Sequence, residues 1–365
     1  MKKDKINSLA LCSVVFPLGC STFYGIFSSY ILDTAKTDTF IAMIIGYIIS
    51  LIISFAIIKL FSLRTDETLP EKVKFAYGKL SIFFNIIIII CSILLYIFIT
   101  YRLTSFLSGQ YLVRTNKTYI YLLVLFITYN MANKGEETTT RVTTICIYIC
   151  LCIYLLVIYG LWNEINFENY LPIITTSKTN ILKSSLVFSL YFSAPIFFIN
   201  IVKKDDLVDK NKFNKYFFIM HLFTFLIVFF AILLTLGAYG VKLANIFDYP
   251  IYTVLNKIQI STFIDSVENV FIIFWLLSGI NAASVALLFI FNCIKKTFNF
   301  KYKTNKVLNY IVILILFLIP TIFYKNNNYL ESFDYISFPS VIAGILILLI
   351  FLTLFILIIK KSYKN

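Results

Sequence analysis

The residues able to do chemistry in this chain are few and scattered. There is one histidine, His221, and it sits in an apolar run, so it cannot build a histidine metal site alone. It reads as a proton-relay residue or, more simply, as a satisfied interior histidine. The seven cysteines, Cys12, Cys20, Cys91, Cys146, Cys150, Cys152 and Cys293, all fall inside apolar runs, where a thiol behaves as a small apolar group. No disulfide framework and no metal or cofactor site is expected from them. Asp265 and Glu268 are three residues apart and would share a helix face. Paired carboxylates there could bind a cation; the plainer reading is a solvated helix start whose acids offset the helix dipole. Arg102 lies near the end of an apolar run and reads as an interfacial anchor rather than a ligand. With no Cys/His pair in one region and no Gly-rich phosphate loop, the chain is not expected to be an enzyme.

The interruptions in the apolar runs carry more information. Phe16-Pro17-Leu18-Gly19-Cys20-Ser21-Thr22, followed by Gly25, breaks the first run. Proline removes a backbone donor and glycine tolerates unwinding. Ser189, Tyr191, Ser193, Ala194 and Pro195 break the sixth in the same way. Two interrupted spans, five apart and of opposite direction, are what inverted repeats with a midplane site produce. A half-helix N-terminus suits a carboxylate and bare carbonyls suit an ammonium group; a free amino acid carries both. The alternative is two ordinary proline kinks. The candidate binding residues are therefore Leu18, Gly19, Cys20, Ser21 and Thr22 in span 1, and Tyr191, Ser193, Ala194 and Pro195 in span 6. Ser278, Asn281 and Ser284 form a polar stripe in span 8, which either lines a cavity or hydrogen-bonds between helices.

The elements that must position these residues follow from composition. Of 365 residues, 60% are hydrophobic and only 14% charged, and the mean hydropathy is +0.88. A soluble protein is about 25% charged, so a polytopic membrane protein is the direct reading. Ten spans are expected, near 7–32, 39–61, 80–103, 118–132, 142–162, 181–202, 215–239, 265–294, 307–324 and 337–360. The first is too long and too polar for a cleaved signal peptide and reads as a retained helix. Residues 1–365 then make a single integral-membrane domain, with one repeat over about 7–162 and a second over about 181–360. Phe and Tyr are abundant together with Lys, Asn and Ile, so the aromatic load is a genome-wide bias and not a stacking device.

The net charge of +14 raises nucleic acid as a partner, but the placement of the charges decides otherwise. With the N-terminus in the cytoplasm, 23 Lys and Arg fall on the cytoplasmic side and 8 on the outer side, Arg102 apart. That is the positive-inside pattern. Both termini are expected in the cytoplasm, with the basic face available to anionic lipid. No basic module presents a groove-reading element, so no nucleic acid is expected. Two connections look structured. Thr68-Leu69-Pro70-Glu71 fits a capping box with proline in the first turn, and Leu69, Val73, Ala76 and Tyr77 share a face. Asp248-Tyr249-Pro250 starts an outer amphipathic helix over 250–258 that should cover the mouth of the site.

These segments also resemble a known family. Tyr249-Pro250-Ile251-Tyr252 through Ile258-Gln259-Ile260, then Phe263-Ile264-Asp265-Ser266-Val267-Glu268-Asn269-Val270 and Trp275, resemble the spore germination receptor B-subunits, the GerAB-type endospore germination permeases. Asp38-Thr39-Phe40-Ile41 looks like that family's start of span 2, and Gly78-Lys79-Leu80 its start of span 3. Gly135-Glu136-Glu137 with Arg141 resembles its connection into span 5, and Asn169-Tyr170-Leu171-Pro172 the segment before span 6. Ser266 stands where the family usually carries a basic residue. The resemblance implies an all-α membrane protein of the amino acid–polyamine–organocation (APC) transporter superfamily, with a LeuT-like five-plus-five fold and discontinuous helices 1 and 6. It implies a nutrient-sensing membrane subunit, bound to an amino acid or similar small molecule, in the bacterial cytoplasmic or spore inner membrane. It further implies a larger membrane A-subunit and a lipoprotein C-subunit as partners. A secondary amino-acid transporter coupled to protons or cations is the alternative, and a scaffold with a decayed site is a third reading.

Overall fold

A computed structural model describes residues 6–22, 27–255, 267–298, 302–325 and 336–362. Phe23, Tyr24 and Gly25, Asp265 and Ser266, and the last three residues of the expected 250–258 helix lie outside the described residues. The chain is helical almost throughout; among the described residues the one β-bridge joins Ile6 to Leu207. Its helices are α1 (Ser8–Ser13), α2 (Val15–Thr22), α3 (Ser28–Ala35), α4 (Thr39–Ser62), α5 (Leu69–Tyr77), α6 (Ser81–Gln110), α7 (Lys117–Asn133) and α8 (Glu136–Leu161). There follow α9 (Lys178–Ser193), a 3-10 segment (Ala194–Ile201), α10 (Phe213–Ala244), α11 (Pro250–Leu255), α12 (Val267–Phe298), α13 (Tyr302–Lys325) and α14 (Ser337–Ser362).

Seven helical stretches among the described residues are long and apolar enough to cross a membrane. Ser8–Ser21 and Val307–Ile322 are shorter apolar helices. Between the second and third of the seven long stretches lies the 17-residue α7. The 24 residues of α4 rise about 36 Å, enough for the ~30 Å hydrocarbon layer. Its outward face carries Ile44, Ile48, Ile52 and Phe55, all exposed, as lipid contact requires.

Partner choice repeats between the two halves. α8 packs on α12, α1 and α10, while α14 packs on α6, α9 and α4. If spans 1–5 correspond to spans 6–10, these are the same three pairings. Likewise α1 and α2 lie on α10 as α9 lies on α4. Such correspondence is what a duplicated, inverted five-helix unit produces.

The expected surface helix is α5. The Thr68 side chain and backbone both engage Glu71 in a capping box, and the Thr68 N–H donates to Glu71 Oε2 at 2.8 Å. Gly78, with φ of +57°, ends it in a region that side chains disfavour. Its buried face docks on the ends of several spans. Lys296 from α12 reaches Glu71 at 2.8 Å, and Lys360 from α14 donates to the carbonyls of Phe75 and Ala76 at 2.9 and 2.8 Å. The same end holds the Ile6–Leu207 bridge, so both ends of the described chain share one face of the bundle. It is called here the terminal face, and the opposite one the distal face.

Candidate functional site

Span 1 is interrupted among the described residues at the turn between α1 and α2, and residues 23–26, which include Gly25, lie outside the described residues. Residues 15–22 are α-helical; the described break is the turn at Val14 between α1 and α2. The reason is the proline. Pro17 has no N–H for the carbonyl four residues earlier, that of Ser13, so the ladder fails there. Once past that point Pro17 sits in the first turn of α2, where a missing donor costs nothing. Leu18, Gly19, Cys20, Ser21 and Thr22 are therefore carried on a helix rather than on unwound backbone.

Span 6 breaks where expected. α9 ends at Ser193 and the chain continues as 3-10 helix from Ala194. Pro195 lacks the donor for the Tyr191 carbonyl, and the tighter 3-10 pattern follows.

The two interrupted spans meet. Phe27, at the start of α3, stacks on Tyr191 with ring centroids 5.6 Å apart and also touches Phe188 at 5.7 Å. At Gly19 α2 passes close to α10 and α9. A Cβ there would lie 2.7 Å from Thr224 Cγ2 on α10 and 3.4 Å from Phe192 on α9. The smallness of this glycine is thus required by helix packing. Leu18 and Cys20 are fully buried, and the Ser21 hydroxyl donates to the Leu18 carbonyl at 3.5 Å. Ser193 Oγ lies 3.5 Å from the Ser50 carbonyl of α4, and Tyr191 Oη donates to the Ile336 carbonyl at 3.3 Å.

The third predicted group is on α12, which packs on α2 and α8. Ser278, Asn281 and Ser284 are all fully buried. Asn281 Oδ1 accepts from Thr143 of α8 at 2.9 Å, while its Nδ2 and the Ser278 hydroxyl have no hydrogen-bond partner among the described residues. A buried donor left unsatisfied costs about 1–3 kcal/mol. Ser284 differs: its hydroxyl donates to the Ile280 carbonyl of its own helix at 2.7 Å.

A cavity of about 20 Å³ lies against the span 6 break, lined by Tyr191, Ala194 and Pro195 with Leu95 and Phe98 of α6 and Ala343 of α14. Its volume is about that of one water, and its lining is apolar. The contribution of α14 was not read from the sequence. Pro339 in α14 also lines the cavity, and an X-Pro at a span start was the available signal.

His221 is satisfied. Its Nε2 pairs with Ser54 Oγ at 3.0 Å and its Nδ1 with Tyr47 Oη at 3.4 Å, both on α4. The seven cysteines are free thiols. Among the described residues no three His, Cys, Asp or Glu side chains cluster as metal ligands would. Glu268 begins α12, but the pairing read between it and Asp265 falls outside the described residues. On the distal side α11 is present as Pro250–Leu255 and packs on α3, α10 and α12. Phe106 of α6 fits among Tyr249, Tyr252 and Trp275, with centroid distances of 5.0, 5.3 and 4.2 Å. The Arg102 guanidinium lies 5.8 Å from the Tyr249 ring centre, consistent with an anchoring contact.

With this arrangement in view, the sequence matches the profile of the spore permeases, described as spore germination protein, over residues 9–330. The chain belongs to that family. No curated protein matches it. Among solved structures, two mutants of the Eremococcus coleocola manganese transporter are similar in fold, with TM-scores of 0.63 and 0.65 at 10% and 11% identity. Each alignment covers 94% of this chain and 76% of the transporter. The same transporter in complex with an aromatic bis-isothiourea substituted compound gives 0.60 at 10% identity, covering 96% and 80%. The spore germination protein therefore shares the fold of these transporters and is an integral membrane protein of a permease family.

Proposed function

We propose that this spore germination protein senses a small nutrient, an amino acid or a molecule of similar size and charge. The ligand would bind between the interrupted spans 1 and 6, facing Ser278 and Asn281 of α12. The observation carrying this reading is the change from α to 3-10 helix at Ser193–Ala194, set beside a cavity and in ring contact with α3. A helix interrupted at that depth supplies backbone groups that a zwitterion can use. The cavity as it stands has about the volume of one water, so ligand entry requires the bundle to open. Only a ligand with different affinity for the two arrangements can shift their balance, and that shift would be the signal passed to partner subunits. The A-subunit and the lipoprotein C-subunit are those partners in this reading. The terminal face, rich in lysine, lies in the cytoplasm, and the repeats span about 7–162 and 181–360.

Secondary transport of an amino acid with a proton or cation is the second reading, favoured by His221 and its two partners inside the bundle. Manganese is not favoured, because no three metal-ligating side chains cluster among the described residues. The test uses the full chain in proteoliposomes and in nanodiscs. A binding amino acid at a hundred times its Kd raises stability by about 2.7 kcal/mol, visible in a thermal melt across an amino-acid panel. A hit without concentrative uptake of that labelled compound supports the sensor. Concentrative uptake replaces it with the transporter, and no hit in the panel overturns both.

A further inference from the structure

The segment between α8 and α9 does more than connect them. Two stretches singled out in the sequence, Asp38-Thr39 and Asn169-Tyr170-Leu171-Pro172, are joined through it, although some 130 residues separate them.

At one end lies Asp38, fully buried in the 3-10 corner between α3 and α4. Its carboxylate accepts three backbone N–H groups: Ile174 at 2.5 Å on Oδ1, and Thr175 and Thr176 at 3.0 and 2.8 Å on Oδ2. Burial alone would raise its pKa, but the N–H donors of Thr176, Ile174 and Thr175 hold it below the ordinary carboxylate value. Two hydroxyls reinforce the joint. Thr176 donates to the Ala35 carbonyl at 2.9 Å and Thr37 to the Pro172 carbonyl at 2.7 Å.

At the other end the segment grips α10. That helix has non-helical backbone at Gly240, with φ of +65°. The Gly237 carbonyl, one turn earlier, accepts from Asn166 N–H at 3.0 Å and from Asn169 Nδ2 at 2.6 Å. Tyr170 Oη donates to the Leu233 carbonyl at 3.0 Å. A Cβ at Gly237 would come within 3.0 Å of Tyr170 Cζ, so the glycine is what admits the ring. Ser177 then caps α9 directly.

We propose that residues 165–177 form a strap that holds the distal ends of α3, α4, α9 and α10 together as one unit, with Asp38 as its principal positioning residue. Those helices belong to spans 1, 2, 6 and 7. The two interrupted spans would then open or close together at the distal side, because neither can move without breaking the charge-assisted bonds at Asp38 or the carbonyl bonds at Gly237 and Leu233. The inference does not depend on which molecule binds between the spans.

Hydrogen exchange of the full chain in nanodiscs, read by mass spectrometry, tests it. Asp38→Asn keeps the shape but turns one acceptor into a donor facing N–H groups. Charge-assisted bonds are about twice as strong as neutral ones, so exchange in 173–177 should rise by roughly tenfold or more. The strap predicts that exchange also rises in 28–35, 178–185 and 237–244. Tyr170→Phe removes one of the three bonds to α10 and should produce a smaller rise over the same four regions. Increases confined to 173–177 and to the immediate neighbours of Tyr170 would overturn the proposal, leaving two local anchors. Should Asp38→Asn not yield folded chain, Tyr170→Phe decides by the same criterion.

Discussion

Gly19 offers a sharp test of how the two interrupted spans are packed. Adding a methyl there places it 2.7 Å from Thr224 Cγ2, closer than carbon atoms tolerate. Thr224 cannot simply turn away, because its hydroxyl donates to the Met220 carbonyl at 2.7 Å and fixes the rotamer. Overpacking of this kind costs about 1–3 kcal/mol, against a gain of about 1 kcal/mol for replacing glycine by alanine within a helix. Gly19→Ala should therefore lie between neutral and about 2 kcal/mol destabilised. Thr224→Ser keeps the hydroxyl bond and removes the opposing methyl, a loss of about 1 kcal/mol by analogy with single-carbon core deletions. In the double variant the new methyl occupies the space vacated, so both penalties disappear and stability should return to or pass the parent value. The coupling is then about 1–3 kcal/mol, within the range seen for side chains in contact. Thermal melts of the four chains in nanodiscs measure it. Additive single effects, with coupling under about 0.5 kcal/mol, would refute the claimed contact between α2 and α10.

Two further predictions concern the terminal face, outside the spans. Burial alone would raise the Glu71 pKa, but the bonds to Lys296 and Thr68 bring it down to about 2. Its contribution is present above the ordinary carboxylate range and fades as pH falls toward 2. The melting-temperature gap between the parent and Glu71→Gln should therefore narrow on going from pH 6 to pH 3; a constant gap contradicts the linkage. Lys72 is buried, donating to the carbonyls of Leu60 and Phe61 at 2.9 and 3.0 Å at the end of α4, and burial lowers its pKa to about 7. Between about 7 and the ordinary lysine value the unfolded chain binds more protons than the folded one, so stability rises with pH across that window. The parent should gain on Lys72→Met between pH 7 and pH 9, and parallel pH profiles would show that the amine is charged throughout.

Much of this protein was legible in local pattern. Hydropathy over 20-residue windows located the spans, because a chain segment in hydrocarbon must be apolar whatever its neighbours are. The α5 capping box could be read because Thr68 and Glu71 meet within one turn. The span 6 break at Pro195 followed from proline's missing donor. The same rule, applied to Pro17, accounts for the turn at Val14, since the lost bond belongs to the Ser13 carbonyl. Gly19 was read as backbone freedom, yet its smallness is demanded by Thr224 on another helix. That distinction is invisible in sequence, because it depends on which surface of α10 lies opposite.

The sequence by itself therefore determined the helices, their order and where prolines interrupt them, all of which arise from backbone chemistry within a few residues. Only the tertiary structure decided that Phe27 meets Tyr191, that His221 is satisfied by Ser54 and Tyr47, and that Asp38 is held by amides of residues 174–176. Those pairs are 136 to 174 residues apart, and each is fixed by the shape of two buried surfaces pressed together.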